Sequence, residues 1–426
     1  MIHVVQSGET INSIAENYNI PVERLISENG ITNPDNLAVG QTIVIVQPEI
    51  LYTIKQGDTL EDIAELYRVS VMELLRNNPY LSDDDFLYPG ETIVISYQTD
   101  KTKTIVTNGY IFSYIERSVL IKTLPFLTYM TIFNYRSTME GEIRFNYDDT
   151  EIVNLAKSYG VVPLMFLSTM SEEGIVNPEV GNHILNNPEV QDRLIENAMR
   201  IMEEKGFYGI NLYVENISSV NINVFTEYLQ KASEIFHSNG YKFLITITPT
   251  FQGGELILNF TEADSSEFVE FVDGIIFTSY DWARSYSYPL ANFPINVLRD
   301  LLDSAVQLIP PEKTILGVTA LGYDWSLPYI PGVTGATIIT YDRAVQIAAD
   351  HGIEIQFNEV AQAPYFYYIS DSGNLQMVWT KDARSFDARG QLSVEYDLLG
   401  LSIWTIMRFD AQMWFLYNTQ YYIERL

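Results

Sequence analysis

The sequence predicts an α/β protein in two parts: a pair of small βααβ units, then a (β/α)8 barrel carrying a small α+β insertion. Three observations carry this expectation. The first hundred or so residues repeat once internally. From Lys101 onward, apolar strands alternate with amphipathic helices, the pattern of a parallel α/β protein. The chain, at 426 residues, is long enough for a small module plus a barrel of ordinary size.

VVQSGETINSIAENYNIPVERLISENG recurs as TIKQGDTLEDIAELYRVSVMELLRNNP, and LAVGQTIVIV recurs as LYPGETIVIS. Each copy opens with a short strand and a turn at Gly8 or Gly57, after which Thr10 or Thr59 can cap a helix. Ile11, Ile14, Ala15 and Tyr18 fall at helical spacing, a second short helix follows, and an alternating strand closes the unit (Thr42 to Val46, Thr92 to Ser96). The expected units are residues 1–48 and 50–98.

These residues resemble the LysM module, a strand, a Gly-Asp-Thr turn, two helices, and Pro-Gly-Gln before the last strand. The resemblance implies binding of N-acetylglucosamine units of peptidoglycan or chitin. It implies a groove between Gly57, Asp58 and Thr59 and the loop near Asn78 and Pro79. The equivalents in the first copy are Gly8, Glu9, Thr10 and Asn29.

The barrel is expected over residues 102–426. Its strands are read as Thr104–Tyr110, Leu127–Phe133, Val161–Leu167, Gly209–Val214, Phe243–Thr248, Gly274–Thr278, Ile315–Thr319 and Gly400–Trp404. Pro188–Lys205, Asn223–Asn239 and Asn296–Leu308 have helical spacing between them. An open doubly wound sheet is the alternative, but no glycine-rich phosphate loop follows the first strand, which disfavours its nucleotide-binding version. An insertion over residues 329–381 reads as a helix (Tyr341–His351) and hairpin strands turning at Asp371-Ser-Gly-Asn, forming one wall of a groove.

The fourth strand, YGINLYVEN, alternates. Ile210, Leu212 and Val214 share the face that packs on helices; Asn211, Tyr213 and Glu215 share the face that points into the barrel. A partly desolvated carboxylate at the strand's carboxyl end can hold its proton near neutral pH and act as a general acid. Taken alone, Glu215 also reads as an ordinary surface glutamate beyond a strand. Other segments decide between these: Ser279-Tyr280-Asp281-Trp282, Leu321-Gly322-Tyr323-Asp324-Trp325-Ser326-Leu327-Pro328, Trp379 to Ser385 with Asp382 and Arg384, and Gly400 to Trp404.

With the fourth strand, these resemble glycoside hydrolase family 18, whose motif there is Asp-Gly-x-Asp-x-Asp-x-Glu. Their order resembles the spore-associated peptidoglycan N-acetylglucosaminidases, which also carry two LysM modules. The resemblance implies retaining hydrolysis in which the substrate's own acetamido oxygen attacks the anomeric carbon. By position Glu215 is the acid/base, Tyr280 holds the acetamido carbonyl, Asp281 positions sugar hydroxyls and Trp404 floors the pocket. Asn211 and Tyr213 complete the catalytic row, with Tyr323, Trp325, Trp282 and Arg384 as further substrate contacts.

Tyr213 departs from the motif, which has Asp two residues before the acid. A phenol can accept the acetamido hydrogen bond but carries no charge at neutral pH. That loss is worth roughly 10² to 10³ in rate. Tyr208, at the first motif position, is expected to sit deeper and to be structural. Two outcomes follow: a glycosidase acting on spore cortex or cell wall, or a weak or silent glycan-binding spore-coat protein.

Composition narrows the partners. With 55 acids against 25 bases the net charge is −30, which repels a phosphate backbone and excludes nucleic acid. The 29 Tyr suit either carbohydrate grooves or a β-rich core. No Cys is present, and His3, His183, His237 and His351 lack metal-ligand spacing, so neither metal nor cofactor is expected. No apolar run approaches a membrane span, and MIHVVQSGET lacks the regions of a signal peptide, so a wall- or spore-associated monomer without a conventional export signal is expected.

Overall fold

The computed structural model describes residues 1–83, 87–171, 175, 177–214, 222–252, 255–257, 268–278 and 288–426. The two N-terminal units have the predicted βααβ order. In the first, strands Ile2–Val4 and Thr42–Val44 pair antiparallel around helices Ile11–Tyr18 and Val22–Asn29. In the second, Pro48–Thr53 pairs with Thr92–Tyr97 around Leu60–Tyr67 and Val71–Asn77. Both first helices are capped as the sequence required. The Thr10 and Thr59 hydroxyls accept from the Ser13 and Asp62 amides at 3.1 Å, and Ser13 Oγ closes a capping box on the Thr10 amide at 2.9 Å. Ile11, Ile14 and Ala15 are buried in the first unit's own core.

The barrel strands, named here β1 to β8, are Lys103–Ile111, Tyr129–Ser137, Val162–Ser168, Gly209–Val214, Lys242–Ile247, Gly274–Phe277, Thr314–Thr319 and Gly400–Trp404. Each pairs parallel with the next, and β8 returns to β1 through Gly400↔Val106, which closes the barrel. The open sheet is thereby ruled out. The long helix Pro188–Lys205 opens on proline and ends at Gly206, whose φ of +79° suits glycine.

The insertion folds around a five-stranded antiparallel sheet with the helix Tyr341–His351 as read from the sequence. Its strand Gly322–Ser326 pairs with both Ala336–Ile339 and Leu375–Trp379. The sheet therefore begins before the expected start at 329, because the segment after β7 completes it.

The N-terminal units are docked on the barrel through a polar seam. The Thr42 amide donates to the Tyr341 hydroxyl at 2.9 Å, the Thr42 hydroxyl donates to Gln412 Oε1 at 2.9 Å, and the Thr42 carbonyl accepts from Gln412 Nε2 at 2.6 Å. The Ile355 amide donates to Val39 O at 2.9 Å. Gly40 permits that approach: its φ is +86°, and a Cβ there would collide with Ile355 O. Arg76 donates to Asn418 Oδ1 and to Pro125 O, each at 3.1 Å, and Asn418 donates to Asn77 Oδ1 at 2.8 Å. The connection is pinned at both ends, Gln98 N to Gln47 O and Thr102 N to Gln420 O.

Candidate active site

Inward residues of the barrel alternate with outward ones along each strand. Val106, Tyr129, Leu164, Leu244 and Ile315 belong to an apolar interior cluster. Beyond them lies a layer of neutral polar groups. Asn211 Nδ2 donates to the Tyr110 hydroxyl at 3.1 Å, Thr246 Oγ1 donates to Asn211 Oδ1 at 2.8 Å, and Tyr110 and Thr246 are 2.7 Å apart. Thr131 donates to Asn108 Oδ1 at 2.8 Å, and Asn108 donates to Ser402 at 2.9 Å. Burial drives the Tyr110 phenol far above its ordinary range, so it stays protonated. Ile210 packs on the opposite face, in the core between strands and helices. The predicted facing of β4 is therefore observed at Ile210, Asn211 and Tyr213.

At the carboxyl end, Tyr213 is part-buried, its hydroxyl 2.8 Å from Thr248 Oγ1, which accepts from Thr278 at 3.0 Å. Its ring lies 5.6 Å from Phe166, which stacks on Phe133 at 4.7 Å. Trp404 closes this end of the barrel, with its ring 5.3 Å from Tyr110, 5.7 Å from Phe133 and 6.0 Å from Phe112. The aromatic row continues outward. Phe112 stacks on Tyr114 at 5.5 Å and 13°, and Tyr114 meets Tyr147 edge-on at 6.1 Å. Tyr114 and Tyr147 are 62% and 52% exposed, so the row leaves the mouth and reaches solvent.

The sequence reading missed Thr248, Thr278, Phe112, Tyr114 and Tyr147. Their common signal is position: each lies at or just beyond the carboxyl end of a barrel strand, or in the loop that follows one. Glu215, Tyr280, Asp281 and Trp282 lie outside the described residues.

Several expected contacts are corrected. Trp325 is 0% exposed and Tyr323 is nearly so. Alternation puts both on one face of their strand, where they pack with Met377 and Trp379 in the insertion's own core. Arg384 is held by Asp382 at 2.6 Å, stacks over Phe357 at 4.0 Å, and donates to Gly40 O at 3.4 Å. It belongs to the seam with the first N-terminal unit. Tyr208 is not deep: it is about half exposed, under the Lys157 ammonium at 4.8 Å.

In the N-terminal units, Gly8 and Gly57 form the expected turns at positive φ. Glu9 accepts from the Gln6 amide at 2.7 Å and contacts His3 at 2.9 Å; Asp58 accepts from the Lys55 amide at 2.8 Å and the Tyr52 hydroxyl at 2.7 Å. These bonds hold both carboxyls below the usual range, backbone donors first. Asn29 and Asn78 are instead buried latches. Asn29 donates to Leu25 O and Val44 O at 3.1 and 3.0 Å and accepts from the Val44 amide at 2.6 Å. Asn78 repeats this with Leu74 O, Val94 O and the Val94 amide at 2.9, 2.7 and 2.8 Å. Each fastens a second helix to a closing strand. Pro79 opens a short 3-10 turn at the edge of a cavity between the two units. Among the described residues no cluster has the makeup of a metal site, and no helix is long and apolar enough to cross a membrane.

Comparison with known proteins agrees with this architecture. The LysM domain family matches residues 3–46 and 52–96, and glycosyl hydrolases family 18 matches residues 181–408. The cortical fragment-lytic enzyme of Bacillus subtilis (strain 168) is 30% identical, covering 100% of this chain and 99% of its own length. The solved spore cortex-lytic enzyme SleL of Bacillus megaterium QM B1551 superposes with a TM-score of 0.81 at 30% identity, over 100% of this chain and 99% of that one. SleL of Bacillus cereus gives 0.82 at 25%, over 100% and 98%. Two LysM units docked on a closed barrel of this sequence make the chain a member of glycosyl hydrolase family 18, a glycosidase of N-acetylglucosamine-containing glycans.

Proposed function

We propose that this glycosidase cleaves N-acetylglucosamine linkages of peptidoglycan in the spore cortex or cell wall, by retaining, substrate-assisted hydrolysis. The observation that carries this reading is the inward row Asn211–Tyr213 on β4, within a chain similar over its whole length to cortex-lytic enzymes. Continued by two residues, that alternation brings the sequence to Glu215, the general acid and then base. Glu215 donates its proton to the glycosidic oxygen as the acetamido oxygen attacks the anomeric carbon; a water, deprotonated by the same carboxylate, then opens the cyclic intermediate. Tyr280 is assigned the acetamido carbonyl, Asp281 the sugar hydroxyls, and Trp404 the floor beneath the cleaved sugar.

Tyr213 replaces a charged acetamido partner with a neutral one. Its hydroxyl is linked to Thr248 and Thr278, a chain that holds its direction without supplying charge. The row Phe112–Tyr114–Tyr147 supports a groove that continues past the reacting sugar, since ring faces cover sugar C–H surfaces. Glu9, Thr10, Asp58 and Thr59, at the LysM turns, are proposed to anchor the glycan.

The test is mass spectrometry of spore-cortex peptidoglycan fragments after incubation with the full chain. New fragments ending in reducing N-acetylglucosamine are expected. Unchanged fragments, with the protein merely co-sedimenting, would favour a glycan-binding protein instead.

A further inference from the structure

Two adjoining cavities, of about 400 and 200 Å³, lie where the two LysM units meet each other and the barrel. Neither is lined by the turns Gly8–Thr10 or Gly57–Thr59. They share Ser27, Glu28, Asn77, Pro79 and Tyr80, so Glu28 stands at their junction. The larger one is within the ~300–1,000 Å³ range of small-molecule sites.

Glu28 is unusual there. Its side chain is only 9% exposed. Oε1 accepts from the Tyr97 hydroxyl of the second unit at 2.8 Å, and the Arg24 guanidinium is 3.9 Å away. The buried Oε2 has no hydrogen-bond partner among the described residues. A buried polar atom left unpaired is costly unless a ligand supplies its partner. Lining charges are balanced, with Glu23, Glu28 and Glu91 against Arg24, Arg76 and Lys122, which selects for a neutral ligand rich in donors over a strongly charged one.

We infer that this cleft is a saccharide subsite built jointly by the two LysM units, in which Glu28 Oε2 accepts a hydrogen bond from a hydroxyl or acetamido N–H of an N-acetylated glycan. The inference rests on the proposed glycan substrate but concerns a place away from the barrel mouth and from the Gly8–Thr10 and Gly57–Thr59 turns; it borders the second unit's groove only through Asn78 and Pro79. A glycan strand held here is gripped by both units at once, and the packing of Tyr97 against Phe415 of the barrel helix Ala411–Gln420 relays that grip to the barrel (rings 5.2 Å apart).

The experiment is hydrogen–deuterium exchange and titration calorimetry on the full chain with tetra-N-acetylchitotetraose. Protection is expected at Val22–Asn29 and at the turn beginning at Pro79. Ser27→Trp, which fills the cleft from an exposed position, should remove that protection and weaken this binding class at least about tenfold, leaving protection at the Gly57–Thr59 turn. Glu28→Gln, of the same shape, should weaken it several-fold. The inference is overturned if the parent shows no protection at Val22–Asn29, if Ser27→Trp leaves it intact, or if a lysine-containing tetrapeptide protects the cleft and the saccharide does not. Release of reducing ends from cortex fragments reports on the barrel alone, so failure here and failure of the proposed hydrolysis are told apart.

Discussion

The middle of the barrel and the seam beneath the LysM units both bury polar groups, but of different kinds. Inside the barrel, Asn108, Tyr110, Thr131, Asn211, Thr246 and Ser402 satisfy one another with hydroxyls and amides. At the seam the groups are ionisable instead: Arg76 and Asp382 are buried there, and burial raises the carboxyls of Glu28, Asp382 and Asp410. Neutral networks keep their bonds across pH, whereas buried ionisable groups make packing depend on proton concentration. The interior network of the barrel is thus insensitive to pH, and the docking of the LysM units on the barrel is not.

Removing a seam donor should have the largest effect. Arg76→Ala strips the donors from Asn418 Oδ1 and Pro125 O and should cost about 3 kcal/mol in denaturant unfolding. A loss under about 1 kcal/mol would show the seam to be dispensable. Next come the latches. Asn29→Ala and Asn78→Ala each orphan buried backbone groups and should cost about 2 kcal/mol apiece, by similar amounts because the bonding is the same. Weakened glycan binding at unchanged stability would instead restore them as ligand contacts.

Asp410 sharpens the contrast through pH. Burial, with Asp342 adding to it, raises its carboxyl from the ordinary value of 3.8 to about 7. A raised carboxyl favours folding fully below the unfolded value, and that contribution is lost as pH climbs from about 4 through about 7. Asp410→Asn keeps the acceptor for the Met413 amide and removes the charge. Its melting temperature should exceed the parent's by several degrees at pH 8, with the gap closing toward pH 4. A constant gap would place the titrating group elsewhere. The smallest effect belongs to Trp325→Phe, which should leave KM unchanged because that ring is wholly inside the insertion.

Much of the fold was legible because it rests on local periodicity. Alternation fixed the barrel strands to within a few residues, and turn, cap and helix spacing revealed the repeated units. The facing of Asn211 and Tyr213 followed from the same rule. Residue type misled where a side chain's partner lies far along the chain. Arg384 suits a sugar carboxylate or hydroxyl as well as Gly40 O, and nothing in its neighbourhood names a partner 344 positions away. Trp325 resembles a sugar platform until its strand is seen to be covered. Asn29 and Asn78 sit where ligand loops begin, yet their amides turn inward to the closing strands. The seam as a whole, with Thr42 meeting Tyr341 and Gln412, has no short-range signature.

In the proposed mechanism Glu215, two residues along the chain from Tyr213, is the acid that cleaves the glycan. The most direct test is the rate of reducing-end release from cortex fragments by Glu215→Gln against the parent. The expected result is a loss of at least about 10²-fold with glycan binding retained. Equal rates would contradict the assignment and move the acid to another residue.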